Sequence, residues 1–270
     1  IQPFPVTEHA ARRLREAGIS ALNIDLIYGL PHQTQGHVAR TIETALSLDP
    51  QRFAVFGYAH VPHFKKHQRL ISEKDLPDAE ERLAQFEVAH ALLSANGYTA
   101  IGLDHFAKPD DTLAVAQREG RLARNFQGYT DDTAPALIGL GASSISALPQ
   151  GYAQNMTEVP EWRKAIEAGT LPVARGIALT DDDRLRRAII ERLMCDLNVD
   201  LDRVAAPFGR DARDFAPELA SLAPLASRGL VVCEGAAVTV PARARAAVRL
   251  VCAAFDSYLA QGNAVHAQAV

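Results

Sequence analysis

The sequence has only three cysteines and contains no long apolar run. Cys195, Cys233 and Cys252 lie too far apart in the 270-residue chain to form a compact metal-binding loop. They follow no disulfide pattern, which suits a reducing compartment. No segment is apolar enough to span a bilayer, and the first residues do not resemble a signal peptide. We therefore expect a cytoplasmic protein that acts without a membrane.

The sequence also lacks an excess of positive charge. It has 28 lysines and arginines against 32 aspartates and glutamates, a net charge of −4 and a pI near 6.2. This balance argues against a surface built to hold nucleic acid. Because 48% of the residues are hydrophobic, the chain can bury a substantial core, and its length predicts one large or two modest domains.

The first 150 residues alternate apolar runs with amphipathic stretches, which is typical of βα units around a parallel sheet. Strands are predicted at about 21–27, 53–59, 99–104 and 136–147, and helices over 34–48 and 78–95. A glycine-containing connector at 169–176 precedes TDDD at 180–183, which resembles a capping box. A second domain is therefore predicted, with helices, a hairpin through 233–235 and a final helix from about 241. That order is compatible with a winged-helix-like fold.

Asp25 is an acidic residue near the end of the otherwise apolar run 21–30. A carboxylate there is costly unless it meets a polar partner or a ligand site. The carboxyl ends of parallel strands commonly carry the active site. From the residue alone, a structural anchor and a ligand contact remain open alternatives. His60, His63 and His67 follow the next predicted strand, but no carboxylate or cysteine completes a ligand set, so no metal site is predicted.

Polar groups also follow the third predicted strand. Asp104 and His105 place an acid beside a base, and the sequence RNFQGY at 124–129 is rich in hydrogen-bonding groups. Such residues serve as loop anchors as well as catalytic groups. The segment 138–146 is rich in glycine but does not match the phosphate-binding pattern G-x-G-x-x-G. Its glycines favour either close approach of a ligand or tight packing of backbone.

Five separated segments together carry a family resemblance. They read NIDLIYGLP at 23–31, YAH at 58–60, DHFA at 104–107, RNFQGY at 124–129 and GLGASSI at 139–145. The set resembles the later part of radical S-adenosylmethionine (SAM) enzymes, and nearly the whole chain resembles the oxygen-independent coproporphyrinogen III oxidases. The resemblance implies an α/β fold, with a partial parallel (β/α) radical-SAM barrel over 1–170. A mostly helical, winged-helix-like domain is expected over 171–270.

The resemblance implies an oxidoreductase of haem biosynthesis that decarboxylates coproporphyrinogen III to protoporphyrinogen IX. It also implies two bound SAM molecules, one contacting Asp25 and Ala59 and the other packing on Ile145. Family members bind a [4Fe–4S] cluster through an upstream C-x-x-x-C-x-x-C loop, which this sequence lacks. We therefore interpret the chain as the C-terminal portion of such an enzyme and expect it to be inactive alone.

A porphyrinogen substrate carries four propionates, and guanidinium groups bind carboxylates in bidentate fashion. Arg124, Arg121 and Lys108 are therefore predicted to bind substrate, with His105 and Gln127 as further polar contacts. These residues are chosen on chemical grounds. The expected partner is a small tetrapyrrole, bound by a monomer without nucleic acid.

Two other functions remain open. The haem chaperones share the radical barrel and the DLIYGLP motif, although the segments at 104–107 and 124–129 favour the oxidase. A winged-helix regulatory protein would also fit the element order over 180–259. The candidate recognition stretch 217–228 has one arginine and no lysine, which is poor material for phosphate contacts. An upstream cysteine loop would distinguish either radical enzyme from the regulator.

Overall fold

The computed structural model describes residues 3–259. The helices are α1 (Phe4–Glu16), α2 (Gln35–Leu46), α3 (Ala79–Ala95), α4 (Thr112–Arg118), α5 (Val159–Glu167), α6 (Asp181–Asp196), α7 (Leu201–Ala205), α8 (Ala216–Ser221), α9 (Ala223–Ala226) and α10 (Val248–Ala254). The strands are β1 (Asn23–Tyr28), β2 (Arg52–Gly57), β3 (Thr99–Ile101), β4 (His105–Ala107), β5 (Ala123–Asn125), β6 (Gly128–Thr130), β7 (Ile145–Leu148), β8 (Gly151–Asn155), β9 (Val173–Ala178), β10 (Asn198–Asp200), β11 (Val232–Glu234) and β12 (Ala237–Thr239). Short 3-10 helices occupy Lys66–Leu70, Glu73–Asp75, Ala206–Phe208, Ala212–Phe215 and Ala242–Ala247.

The first sheet has the strand order β1-β2-β4-β3. The predicted parallel pairing is confirmed for β1 and β2, whereas β4 is antiparallel to both of its neighbours. The predicted strand 99–104 ends at Ile101, because the chain turns at Gly102, where φ is +53°, and returns as β4. The expectation of βα units around a parallel sheet is therefore wrong at this hairpin.

Helices α2 and α3 cover one face of this sheet. Along α3, Phe86, Ala89 and Leu93 are buried at a spacing of three and four residues, which places them on one helix face. They pack against Tyr28 and Phe53 of the neighbouring strands. Both helices were predicted from this periodicity, as was the end of α3 at Asn96 and Gly97.

Residues 123–178 form two smaller sheets, a hairpin of β5 and β6 and an antiparallel sheet β7-β8-β9. The strand predicted at 136–147 forms only from Ile145, with Leu137 bridging Ala147. The predicted connector at 169–176 is also wrong in part, because β9 begins at Val173 and pairs with β8. The pairing of β8 with β9 crosses the domain boundary predicted at residues 170/171. The boundary itself stays a prediction.

The last part of the chain has its own apolar core. Helix α6 begins at a reciprocal capping box in which Thr180 and Asp183 bond to each other's backbone, as predicted. Its buried residues Leu185, Ile189 and Leu193 recur every four positions and face α10 and the sheet β10-β12-β11. The predicted hairpin through 233–235 is confirmed as β11 and β12.

Tyr129 joins this core to the first sheet. Its hydroxyl donates to the carbonyl of Met194 on α6 at 3.1 Å and accepts from the amide of Leu103 at 2.9 Å. Arg245, from the 3-10 helix before α10, donates to the carbonyl of Gly102. The β3–β4 turn is therefore held from the C-terminal side of the chain. Within residues 3–259, the helices are all too short or too polar to cross a membrane.

Candidate functional site

Two of the predicted site residues lie in one row on the uncovered face of the first sheet. Asp25 pairs with Ala54 on β2, and Ala54 pairs with His105 on β4. Residues paired across strands project to the same face, so the carboxylate and the imidazole face the same side. Two strand spacings separate their backbones, about 10 Å, and Ala54 lies on the strand between them.

Asp25 is exposed and has one side-chain partner, the Nδ2 of Asn23 at 2.6 Å. It therefore neither pairs with a buried arginine nor caps a loop, which were the structural roles that the sequence left open. On the same face, Ile27 is 49% exposed and Phe56 is 37% exposed. An acid beside two uncovered apolar side chains suits an amphipathic ligand.

His105 is held on its Nδ1 side and open on its Nε2 side. The Nδ1 atom lies 2.7 Å from Oδ1 of Asp104, and the ring makes edge contacts with Phe56 at 5.8 Å and Tyr129 at 5.1 Å between centroids. The carboxylate favours a proton on Nδ1, which leaves Nε2 of the neutral ring as an acceptor. Nε2 faces Gly128, and the residues that the structure describes give it no hydrogen-bond partner.

The hairpin of β5 and β6 carries the next two predicted residues. Arg124 places its guanidinium 5.6 Å from the centre of the Tyr129 ring, and its Nε is buried without a hydrogen-bond partner. Its backbone amide donates to Glu191 at 3.0 Å. Gln127 lies exposed in the hairpin turn, where its amide donates to Asn125. Arg124 and His105 thus share the Tyr129 ring as a neighbour.

Two of the residues predicted to contact propionates, Arg121 and Lys108, already have acidic partners. Arg121 lines the same 440 Å³ cavity as Arg124, but its guanidinium is already paired with Glu119. Lys108 follows β4 at the opposite end of the sheet, where its Nζ lies 2.7 Å from Asp49 and its amide donates to Gln51. Because β4 runs antiparallel to β2, Lys108 lies at the amino end of β2 and is not brought to the other residues. Its predicted contact with a propionate therefore stays a prediction, at a place apart from the other residues.

The carboxyl ends of β1 and β2 are fixed by α3. Arg82 is 9% exposed and donates to the carbonyl of Tyr58 at 2.9 Å. Its guanidinium passes so close to Gly29 and Gly57 that an added Cβ would lie 2.9 Å and 3.0 Å from its nitrogens. The fully buried Gln85 accepts from the amide of Gly29 at 2.9 Å. Sequence reasoning missed both helix residues.

Ala59 follows β2 at this end and is exposed. Its carbonyl accepts from Nε2 of Gln68 at 3.0 Å, so the loop after β2 is closed on itself at that atom. Ile145 lies apart, at the start of β7, and is half-buried. Of the three predicted SAM contacts, Asp25 and Ala59 share the region of β1 and β2, and Ile145 belongs to a different sheet.

The cysteines do not form a ligand set for an iron–sulfur cluster. Cys195 and Cys252 are buried, and burial raises the pKa of each thiol to about 12. Cys233 is exposed on β11. Iron–sulfur clusters are held by thiolates. Within residues 3–259, no three His, Cys, Asp or Glu side chains converge as metal ligands.

Comparison with known proteins gives concordant matches. The sequence model of the HemN C-terminal domain family matches residues 179–246. An oxygen-independent coproporphyrinogen III oxidase of Bradyrhizobium diazoefficiens is 49% identical over 271 residues, which cover 100% of this chain and 60% of that protein. The enzyme of the same name from Escherichia coli is 43% identical over 259 residues, 96% of this chain and 56% of the relative.

A solved structure is similar as well. It is described as "Coproporphyrinogen III oxidase (HemN) from Escherichia coli is a Radical SAM enzyme", and it superposes with a TM-score of 0.89 at 41% identity. The match covers 96% of this chain and 60% of that chain. The chain thus spans about 60% of the length of the proteins that it matches.

Proposed function

We propose that this chain, as a member of the oxygen-independent coproporphyrinogen III oxidase family, is the portion of such an enzyme that binds and positions the tetrapyrrole. The observation that carries the proposal is the similarity along the whole chain, at 49% identity to one relative. The complete protein would convert coproporphyrinogen III to protoporphyrinogen IX in haem biosynthesis, with each of two propionates losing a hydrogen atom, carbon dioxide and one electron, which passes to an acceptor, to become a vinyl group. The chain alone is expected to lack this activity.

The finer fold is part of the proposal. The parallel strands β1 and β2, with α2 and α3 on one face, would be later strands of a radical-SAM barrel, whose interior is the face that carries Asp25 and His105. The C-terminal part would be a winged-helix-like domain. Its support is the order of α6, β10, α7 to α9 and the hairpin of β11 and β12 within one core.

Asp25, Ala59 and Ile145 are proposed to contact SAM. The exposure of Asp25 supports its share, because a free carboxylate can accept hydrogen bonds from ligand hydroxyl or ammonium groups. SAM and a [4Fe–4S] cluster supply the one-electron chemistry of radical SAM enzymes. The cysteines of this chain do not fit the cluster, so its ligands are proposed to lie in another part of the complete protein.

The substrate is proposed to lie across the His105 end of the sheet. Arg124 would hold a propionate through its unpaired donors, since a guanidinium binds a carboxylate in bidentate fashion. His105, oriented by Asp104, offers Nε2 to a polar atom of the ligand, and Gln127 and Arg121 are further contacts at the rim. Phe56 and Tyr129 flank the imidazole and would exclude water from it.

The complete protein is further proposed to work as a monomer in the cytoplasm, on a small molecule and without nucleic acid. The test is to purify it anaerobically, reconstitute its cluster and measure protoporphyrinogen formation from coproporphyrinogen III with SAM, a reductant and an electron acceptor. We expect two carbon dioxide molecules per product. A reconstituted protein that binds haem and leaves coproporphyrinogen unchanged would overturn the proposal in favour of the haem chaperone.

A further inference from the structure

Two cavities meet at one wall between the β5–β6 hairpin and α6. One, of about 480 Å³, lies between α6, the β7-β8-β9 sheet and residues 255–258. The other, of about 440 Å³, lies beside residues 130–137. The residues that line both cavities are Arg124, Asn125, Ala147, Arg187 and Glu191. Both arginines belong to this shared wall, although they come from opposite sides of the predicted domain division.

Neither guanidinium at the wall has an acidic partner. Among residues 3–259, Arg124 and Arg187 form no ion pair, and each instead lies 5.6 Å from the centre of a tyrosine ring, Tyr129 for the first and Tyr152 for the second. The neighbouring arginines differ. Arg186 bonds to Asp182 at 2.7 Å and to Glu218 at 2.8 Å.

The acids around the two cavities have donors of their own. Glu191 accepts from the amide of Arg124, and Asp183 accepts from Thr180 and from the Tyr258 hydroxyl at 2.9 Å. Asp256 accepts from the amide of Tyr258 at 2.9 Å. Hydrogen bonds from neutral donors leave these carboxylates their charge, but none of them lies against the two free guanidinium groups. The wall therefore has two guanidinium groups whose N–H donors have no acidic acceptor among residues 3–259.

The same wall continues to the predicted SAM contact. Ile145 and Ala147 are two residues apart on β7, so their side chains share one face at a separation of about 7 Å. Tyr152 is paired with Ala147 and lies on that face, in edge contact with Phe126 at 5.0 Å between centroids. An apolar, aromatic surface therefore leads from Ile145 to the two arginines.

We propose that Arg187 on α6 and Arg124 on β5 form one carboxylate-binding subsite. It takes a carboxylate borne on an apolar ring system that lies along the face of Ala147 and Tyr152, beside the SAM contact proposed at Ile145. This inference rests on the proposed function and deepens it, because a propionate of the tetrapyrrole is such a group. The subsite brings the C-terminal helices into substrate binding, with Arg187 as a specificity-determining residue.

The experiment is a titration of the 270-residue chain with coproporphyrin III, the stable oxidised macrocycle with four propionates, followed by its fluorescence. We expect saturable binding, weakened about tenfold or more in Arg187→Gln, because a charged hydrogen bond of this kind is lost. Arg187→Lys should fall between the two, since it keeps the charge and loses the fork. Binding of the tetramethyl ester should not distinguish the variants. Thermal unfolding checks that each variant is folded.

The matched control is Arg228→Gln, an exposed arginine of the same C-terminal part that lines neither cavity. It should bind the tetra-acid within twofold of the unmodified chain. Equal affinities for Arg187→Gln and the unmodified chain, equal losses in Arg187→Gln and Arg228→Gln, or no saturable binding at all would each overturn the subsite. The proposed function is judged separately, by decarboxylation in the complete protein, so the two can fail independently.

Discussion

The C-terminal core and the uncovered face of the first sheet differ in how far their polar side chains are paired within the protein. In the C-terminal core, Arg186 meets two carboxylates and also donates to the carbonyl of Phe255 at 3.2 Å. On the uncovered face of the first sheet, His105 has a free Nε2 and Asp25 has a single exposed neighbour. Both regions bury a full apolar cluster on their other sides.

The difference separates a closed region, where polar groups pair with one another, from an open face, where they stay exposed. An arginine whose donors are taken by carboxylates and a carbonyl of the protein, as at Arg186, has little left to offer a ligand. A sheet that leaves apolar and polar groups uncovered on one face loses some stability but presents a surface for binding. Arg124 and Arg187 lie where the two regions meet. The predictions below test whether stability and binding divide along this line.

The largest expected effect comes from removing matched phenylalanines. Phe215 is fully buried in the C-terminal core, where it contacts Phe255 and Arg210, whereas Phe56 is 37% exposed on the open face. We expect Phe215→Ala to lower the free energy of unfolding by about 3–5 kcal/mol and Phe56→Ala by less than about 1.5 kcal/mol. Urea denaturation of both variants measures this. An equal loss of unfolding free energy in the two variants would mean that Phe56 is packed as tightly as Phe215.

The next effect concerns the junction of the two regions. A Cβ on Gly102 would overlap the ring of Tyr129, and φ there is +53°. Gly97 has a φ of +84° with nothing within 4 Å, so it is the control for backbone strain alone. Gly102→Ala should lower the free energy of unfolding by about 2–4 kcal/mol, against about 1 kcal/mol for Gly97→Ala. Indistinguishable melting curves would show that Tyr129 moves aside without cost.

A third prediction tests binding at the junction. In the complete protein, Arg124→Lys keeps the charge and loses the fork, so turnover of coproporphyrinogen should fall roughly tenfold to a hundredfold. Arg228→Lys should leave turnover unchanged. Decarboxylation and 5′-deoxyadenosine formation are measured in one anaerobic assay. If 5′-deoxyadenosine formation falls in step even without substrate, Arg124 serves the cofactor or the fold instead.

A smaller effect is expected at Asp25. Asp25→Asn keeps the size of an exposed side chain, so the free energy of unfolding should stay within about 0.5 kcal/mol. Affinity for SAM in the complete protein should drop roughly tenfold, because a charged acceptor is lost. Calorimetric titration and thermal unfolding report the two quantities. A lower melting temperature with normal affinity would identify Asp25 as a structural anchor.

The last prediction concerns the reactivity of the cysteines, which differ in burial. It involves no change in stability. Burial raises the pKa of Cys195 and Cys252 to about 12, so both remain thiols at pH 8, whereas Cys233 is exposed. Iodoacetamide should modify Cys233 alone in the native chain and all three cysteines in urea. Mass spectrometry identifies the sites. Native labelling of Cys195 or Cys252 would show that the closed region opens.

Some of the site was predictable, because the apolar runs that form strands can be recognised in the sequence. The residues Asp25 and His105 each lie near the end of an apolar run, and polar side chains at strand ends commonly meet. The position of Lys108 was not predictable from the sequence. It is three residues from His105 along the chain, but β4 runs back along β2 and carries Lys108 to the far end.

Helices α2, α3 and α6, the cap of α6 and the C-terminal hairpin were determined by the sequence itself, because periodicity and hydrogen bonds from near neighbours set them. Thr180 with Asp183, and the spacing of Phe86, Ala89 and Leu93, are of this kind. The tertiary structure alone decided that Tyr129 packs against Gly102 and that Arg187 and Arg124 line the same two cavities. These contacts join residues far apart in the chain, and packing between distant elements leaves no local pattern from which to foresee it.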